Sequence, residues 1–372
     1  MKYQSIQFLR AMAALFVVYA HSIDLQMKYA ISGEQHFFHL QNFGAIGVDI
    51  FFILSGFIIS YTARSDSGLK AGRRFLLKRF LRINPVYYIA TVLYFLPNLV
   101  HSLKTGGPMH LTPGILLKTI LILPFADHGQ WISPYLGICW TLAFEWLFYL
   151  LFLVLILDKA KRKAGWMLLI LGGLVIFGIM LRGHGQLTDP RLIFVTNPLI
   201  VEFGLGVLIC WFYRQPGIHR NLSLLLVLAA ICTYAYEVVT GTGGISEAER
   251  TLDGSLSASR LLWWGIPSAL LVAGCVGLEQ CGAWKALWKN RVAMLAGDAS
   301  YSIYLIHLTV FLLFDSLYIR FGFFLNPDLA IWVQLAVAAA GGVLFYKWVE
   351  FPLLNALRSR LLPKSRPRSR RR

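Results

Sequence analysis

Charged residues are scarce in this chain of 372 residues, since Asp, Glu, Lys and Arg together make up only 14% of it. Soluble domains average about 25%, so the shortage excludes an ordinary soluble domain. Hydrophobic residues account for 57% of the sequence, and the mean hydropathy is +0.61. The composition is therefore that of a membrane protein.

Cysteine is also sparse. The five cysteines lie at positions 139, 210, 232, 275 and 281, within or at the ends of apolar runs, and their spacing is not that of metal ligands. This pattern excludes a disulfide framework and a zinc site, and the thiols are expected to pack as small apolar groups. We expect no bound metal and no resident cofactor.

Internal repeats and a large soluble domain are absent from the sequence, and the first apolar run is not followed by a convincing signal-peptide cleavage site. We therefore predict one membrane domain over residues 1–352, with the first run retained as a helix. Residues 353–372 are predicted to form a basic cytoplasmic tail.

Acidic residues are few: 18 Asp and Glu stand against 35 Lys and Arg, for a net charge of +17. Most of the basic residues fall in alternate loops and flanks, above all in 64–82, 159–163 and the tail from 358 onward. This asymmetry predicts that both termini are cytoplasmic. Basic flanks that contact anionic lipid headgroups explain the charge with fewer assumptions than nucleic-acid binding, which we exclude.

Apolar runs of about 17 to 25 residues predict an all-α, polytopic membrane fold. The ten runs lie near 5–24, 44–62, 86–103, 135–157, 166–181, 192–213, 222–239, 261–278, 300–319 and 329–349. A further run, 114–125, is too short to span a bilayer and is predicted to be interfacial or re-entrant.

The first run carries Arg10 and His21, eleven residues apart. That separation is close to three helical turns, so both side chains share one face, roughly 16 Å apart along the axis. An arginine deep in a spanning helix costs on the order of 3 kcal/mol unless a partner or an aqueous cavity compensates it. The face is therefore a candidate functional site.

Other ionisable residues lie in or beside later runs. Asp49 opens the second run and is either a cavity residue or an interfacial cap. Arg79 and Arg82 are neighbours on a helix surface, and they form either a phosphate clamp or part of the interfacial positive charge.

Glu145 is predicted near mid-membrane, where Thr141 and Tyr149 share its face. It either faces a cavity or pairs with Arg10 to hold two helices in register. Tyr304 and His307 fall on one stripe with Ser300 and are further candidates for lining a cavity.

These segments together resemble the integral-membrane acyltransferase family 3, which transfers acyl groups onto sugars of bacterial surface polysaccharides and onto some macrolides. The resemblance rests on Arg10 with His21, on Gly47–Phe57, on Arg79 with Arg82, and on Trp140–Tyr149, and Ser300–His307 and Glu350-x-Pro352 extend it. The opening Gln7–Leu15 is most similar to the exopolysaccharide-production branch. Thr141 stands where the family commonly has serine, which keeps the hydroxyl.

The resemblance implies an O-acyltransferase of the bacterial inner membrane with acyl-CoA, by family default acetyl-CoA, as co-substrate. It also implies a carbohydrate acceptor, either a polysaccharide or its lipid-linked precursor, with membrane lipid and polysaccharide-assembly proteins as further partners.

The residues suggest roles within such a reaction. His21 is the expected base for the acceptor hydroxyl, since imidazole titrates near neutral pH. Asp24 either orients that imidazole or is a plain residue at the helix end. Arg10 stabilises charge on the thioester oxygen, holds the donor, or pairs with Glu145.

A transporter or flippase for a lipid-linked sugar or other small solute is the alternative, because intramembrane Arg, Glu and His also mark translocation paths. The sequence shows no paired halves with matched broken helices, which disfavours this alternative.

Overall fold

The structure is a computed structural model that describes residues 3–29, 43–105, 112–123, 125–127, 130–132, 134–214, 219–240, 247–321 and 326–362. Within these residues, ten helical segments are long and apolar enough to cross a membrane, and each contains most of one predicted apolar run. The all-α, polytopic fold class is therefore confirmed. Of the predicted basic tail, residues from 363 onward lie outside the described residues.

Helices make up almost all of the ordered elements. The first eight are α1 (Gln4–Tyr29), α2 (Ile46–Thr62), α3 (Leu69–Thr105), α4 (Pro113–Leu121), α5 (Trp140–Leu157), α6 (Lys163–Gly183), α7 (Pro190–Val195) and α8 (Ile200–Phe212). The remaining nine are α9 (Arg220–Thr240), α10 (Ala248–Leu252), α11 (Ser257–Arg260), α12 (Ile266–Gln280), α13 (Lys285–Trp288), α14 (Arg291–Asp298), α15 (Ser300–Phe321), α16 (Pro327–Phe345) and α17 (Phe351–Leu361).

Short elements of other types join or extend these helices. Turns of 3-10 helix precede α2 (Phe43–Ala45) and α5 (Gly137–Cys139), and π-helical segments follow α11 (Leu261–Gly265) and α16 (Tyr346–Glu350). The strands of the described part are β1 (Phe125–Asp127) and β2 (Gln130–Ile132), an antiparallel pair between α4 and α5. The predicted interfacial run corresponds to α4, which begins at a Thr112 cap and has nine residues.

Two glycines of α2 let its backbone approach the neighbouring helices closely. A Cβ added at Gly47 would collide with the Ala13 carbonyl of α1, and one at Gly56 would collide with the Phe203 carbonyl of α8. Small residues at such crossings are the usual way for membrane helices to pack. The contacts fix α2 between α1 and α8, and thereby fix which residues α2 presents to its other neighbours.

Helices α1 and α15 run parallel, side by side. Gly297, just before α15, packs against the backbone of Gln7, and Tyr318, near the end of α15, accepts a hydrogen bond from Gln26 at 3.0 Å. Residue numbers therefore rise in the same direction along both helices. This arrangement sets the polar residues of the two helices at matching levels.

Two helix boundaries differ from the sequence prediction. Helix α3 begins at Leu69, so Arg79 and Arg82 lie in the same continuous helix as the third span. The tenth run was predicted near 329–349, but helical dihedral angles continue through Glu350 and past Pro352 into α17. The π-helical turn before Pro352 accommodates it, because a proline in the first turn of the following helix needs no backbone N–H donor.

Candidate active site

Five spanning segments enclose a cavity of about 780 Å³, counting the space at its open mouth. Its polar lining comes from α1, α2, α3, α5 and α15. The polar lining residues are Arg10, Ser55, Arg79, Arg82, Thr141, Glu145, Tyr149, Ser300, Tyr301 and Tyr304.

Helical spacing explains why each segment contributes as it does. Thr141, Glu145 and Tyr149 recur every four residues on one face of α5, and Ser300 and Tyr304 do the same on α15. The predicted residues Arg10, Arg79, Arg82, Glu145, Tyr149 and Tyr304 therefore all reach the same cavity, although they lie on four different helices.

Three of these side chains are arginines, and no acidic partner for them lies among the described residues. Arg10 Nη1 donates to Gln7 Oε1 at 3.1 Å, and Arg79 Nη2 donates to Thr62 Oγ1 at 3.3 Å. The Arg79 guanidinium also lies 5.4 Å from the ring centroids of both Phe75 and Tyr149. Among the described residues, none of the three cavity arginines forms an ion pair within 4.0 Å.

Glu145 is the single carboxylate that lines the cavity in the described part of the chain. Its Oε1 accepts hydrogen bonds from Ser55 Oγ, at 3.0 Å, and from the Tyr149 hydroxyl. The register pair between Glu145 and Arg10 that the sequence left open is not formed. Instead, Glu145 is tied to α2 and to its own helix, and the cavity keeps three cationic groups against one anionic group.

Tyr304 closes a hydrogen-bonded link between α15 and α5. Its hydroxyl donates to the Ile138 carbonyl at 2.7 Å and lies 2.7 Å from Thr141 Oγ1. Both tyrosine and threonine are buried. The hydroxyl at Thr141 is therefore used structurally, in contact with the cavity wall.

His21 lies outside this cavity, further along α1 than Arg10. Its Nδ1 is 3.0 Å from Asp24 Oδ2. An ionised carboxylate only accepts hydrogen bonds, so Nδ1 carries the proton and Nε2 keeps its lone pair. The His21 side chain is 34% exposed, so an external group can approach it.

His307 is completely buried and stacks on His21, with ring centroids 5.2 Å apart and ring planes 26° from parallel. Its Nδ1 is 2.7 Å from the carbonyl oxygen of Tyr304. Tyr304 also lines the cavity. A chain of contacts therefore leads from the cavity wall through Tyr304 and His307 to His21. His307 itself, like Asp24, does not line the cavity.

Asp49 does not line the cavity either, because its carboxylate binds Arg260. The guanidinium donates to Asp49 through Nε, at 3.0 Å, and through Nη2, at 2.8 Å. Both side chains are buried, and Arg260 also lies 5.0 Å from the ring centroid of Trp264. Arg260 directly precedes the apolar run 261–278, and the structure encloses it in the helix bundle.

Three residues of this picture were not singled out from the sequence. Ser55 lies in the motif Gly47–Phe57, but it is not on the same helix face as Asp49. Tyr301 lies in the motif Ser300–His307, but it is not on the same helix face as Ser300. Arg260 directly precedes an apolar run, and that unusual position was the available signal. Among the described residues, no cluster of three or more His, Cys, Asp or Glu is arranged to hold a metal ion.

Known proteins resemble this chain over nearly all of its length. Residues 3–348 match the acyltransferase domain family. The exopolysaccharide production protein ExoZ of Rhizobium meliloti (strain 1021) is 28% identical over 87% of this chain and 93% of its own. Acyltransferase MdmB of Streptomyces mycarofaciens is 24% identical over 98% of this chain and 93% of its own. The O-acetyl transferase of Shigella phage Sf6 is 32% identical over 61% of this chain and 68% of its own.

No solved structure matches this chain. The family match favours acyl transfer over the transport alternative, since it spans every helix that lines the cavity. With ten helices suited to cross a membrane and a family match over nearly its whole length, this chain belongs to the acyltransferase domain family and is a multi-pass membrane acyltransferase.

Proposed function

We propose that this protein transfers an acetyl group from cytoplasmic acetyl-CoA to a sugar hydroxyl of a cell-surface or exported polysaccharide, or of its lipid-linked precursor. The observation that supports the donor assignment best is the cavity with three arginines and one carboxylate. The relatives named for exopolysaccharide production and O-acetyl transfer support the choice of acceptor and of acyl group.

The arginines suit the phosphate groups of the donor. A guanidinium presents planar, paired N–H donors that match phosphate oxygens, and each such bond is charge-assisted. Arg79 and Arg82 lie one turn apart on α3, and Arg10 faces them across the same cavity. In this proposal Arg79 and Arg82 bind donor phosphates, and Arg10 lies nearer the thioester.

His21 is the proposed base. Its Nε2 takes the proton of the acceptor hydroxyl, and the alcohol oxygen attacks the thioester carbonyl carbon. The C–S bond then breaks, and the CoA thiolate leaves with the proton that His21 held. Asp24 fixes the tautomer that leaves Nε2 free, which is the role of the carboxylate in acid–base dyads and triads.

The concentration of basic residues in alternate loops supports an orientation in which both termini and the donor phosphates are cytoplasmic. That orientation suits the inner membrane of a bacterium, where cytoplasmic acetyl-CoA meets an acceptor on the other face or within the bilayer. His21 lies on the far side of Arg10 along α1, towards that acceptor.

The test uses inside-out membrane vesicles that contain the protein, with acetyl-CoA labelled in the acetyl group. We expect label to enter glycan or lipid-linked sugar with the wild type. His21→Ala should reduce transfer by about 10²- to 10⁴-fold, the usual effect of a general base, at unchanged protein level and unchanged donor binding.

His184→Ala is the matched control, because His184 is exposed at the end of α6 and outside the site; it should transfer like the wild type. Near-normal transfer by His21→Ala would remove His21 from the mechanism. Absence of label with the wild type, across a panel of acyl-CoA donors that includes longer chains, would contradict the proposed reaction.

A further inference from the structure

His307 carries a hydrogen-bonding atom that the fold does not use. Its Nε2 is buried and has no hydrogen-bond partner among the residues that the structure describes. Leaving a buried acceptor unpaired is unfavourable, and a phenylalanine at this position would avoid that cost. An unsatisfied buried atom requires an explanation, and a ligand group that donates to it supplies one.

The tautomer of His307 identifies what that group must be. Its Nδ1 lies 2.7 Å from the Tyr304 carbonyl oxygen, which can only accept a hydrogen bond. Nδ1 therefore carries the ring proton, and Nε2 of the neutral ring offers a lone pair. The missing partner is a donor, either an O–H or an N–H.

The position of His307 restricts which molecule can supply this hydrogen-bond donor. The ring stacks on the ring of His21. Because the Nδ1 atom of His21 contacts Asp24, the Nε2 atom of the neutral His21 ring also carries a lone pair. Two stacked imidazoles therefore each carry a hydrogen-bond acceptor. The arginines lie at the other end of the contact chain, since Tyr304 separates His307 from the cavity that they line.

We infer that His307 is a second acceptor-binding residue, whose Nε2 receives a hydrogen bond from a hydroxyl adjacent to the one that His21 deprotonates. This inference rests on the proposed function and names the substrate feature that it requires: an acceptor with hydroxyls on neighbouring carbons, as a sugar has. One hydroxyl reacts at His21 while its neighbour orients the ring of the sugar.

The experiment measures apparent KM values separately for acetyl-CoA and for the acceptor, supplied as the lipid-linked glycan fraction extracted from the source membranes. His307→Asn retains an amide N–H for the Tyr304 carbonyl but places nothing at Nε2. His307→Phe keeps the ring stacked on His21. We expect both variants to raise the acceptor KM about tenfold or more, the effect of losing one buried hydrogen bond, with the acetyl-CoA KM unchanged.

Two further variants separate hydrogen bonding from packing. His307→Gln can place an amide oxygen near the Nε2 position and should restore at least part of the acceptor affinity. Phe311→Leu alters the edge contact to the His307 ring, 5.6 Å between centroids, without touching Nε2, and should leave both KM values as in the wild type.

The possible outcomes are distinguishable. If the wild type transfers no label to this glycan fraction or to any other, the proposed function itself fails. If the wild type transfers label and the acceptor KM of both His307→Asn and His307→Phe is unchanged, the inference is overturned. A rise confined to the acetyl-CoA KM also overturns it, because the lone pair would then bind the amide of the donor.

Discussion

Two groups of charged residues inside the same helix bundle are arranged in opposite ways. Asp49 and Arg260 neutralise each other through two hydrogen bonds in a closed site. The cavity instead holds three arginines beside one carboxylate, and that carboxylate binds hydroxyl groups and no arginine. Charge that is matched internally serves the fold, whereas charge that is left unmatched around an open space is available to a ligand.

The difference matters because charge in a membrane interior is expensive. A closed pair offsets that cost within the protein. The arginines line an open cavity, and the full benefit of their charge arises only when an anion enters. The comparison therefore separates residues that hold the helices together from residues that bind substrate.

The largest expected effect is at the closed pair. Arg260→Ala leaves Asp49 buried without its partner, which for buried ion pairs costs about 3–5 kcal/mol. We expect that loss in the free energy of unfolding of the detergent-solubilised protein, while the transfer rate per folded molecule stays near that of the wild type.

The double variant Asp49→Ala with Arg260→Ala should be more stable than Arg260→Ala alone, because it removes the Asp49 carboxylate together with its partner. If Arg260→Ala is as stable as the wild type but transfers poorly, the Asp49–Arg260 pair is not primarily structural. The distinction between this pair and the cavity arginines is then wrong.

A smaller effect, of the opposite kind, is expected at the cavity. Arg79→Gln and Arg82→Gln each remove a charge-assisted bond to the donor and should raise the acetyl-CoA KM about 10-fold or more. Stability should change little, since neither arginine forms an ion pair within 4.0 Å in the described structure.

Arg73→Gln, an exposed change on the same helix, is the control and should leave the acetyl-CoA KM unaltered. An unchanged KM in both cavity variants would return Arg79 and Arg82 to the general positive charge of the membrane flank.

Much of this arrangement follows from the sequence, for physical reasons. The ten spans are predictable because hydrophobic length is a local property of the chain. Arg79 with Arg82, and Glu145 with Tyr149, are predictable as pairs because each pair shares a helix face. The proximity of one pair to the other does not follow from spacing, because the two pairs lie on different helices.

Contacts between distant helices are not encoded in any local pattern. Asp49 was considered without its partner because Arg260 lies 211 residues away. The stack of His21 on His307 depends on the parallel packing of α1 and α15, which no spacing within either helix shows. The helix continues past Pro352 through a π-helical turn, which the length of the apolar run does not show.

The smallest expected effect sharpens the comparison at Glu145. Glu145→Gln keeps an oxygen that accepts from Ser55 and Tyr149 but removes the negative charge from the cavity. We expect the free energy of unfolding to change by less than about 1 kcal/mol, because the neutral hydrogen bonds remain. The turnover number should fall several-fold, and donor binding should not weaken, since an anion site loses a repulsive charge.

A Glu145→Gln variant that loses stability while its folded fraction keeps full turnover would place Glu145 with Asp49, among the structural residues. Thr141→Ser is a suitable companion variant, because it keeps the hydroxyl that contacts Tyr304 and should transfer like the wild type.

The most direct test of the central claim is the affinity of the purified protein for CoA itself, measured by titration calorimetry at two salt concentrations. The account predicts that the wild type and Arg73→Gln bind CoA with equal affinity, which weakens as salt is raised. The double variant Arg79→Gln with Arg82→Gln should lose about 100-fold or more and most of the salt dependence. Equal CoA affinity in that double variant and the wild type would contradict the assignment of the cavity as the donor site.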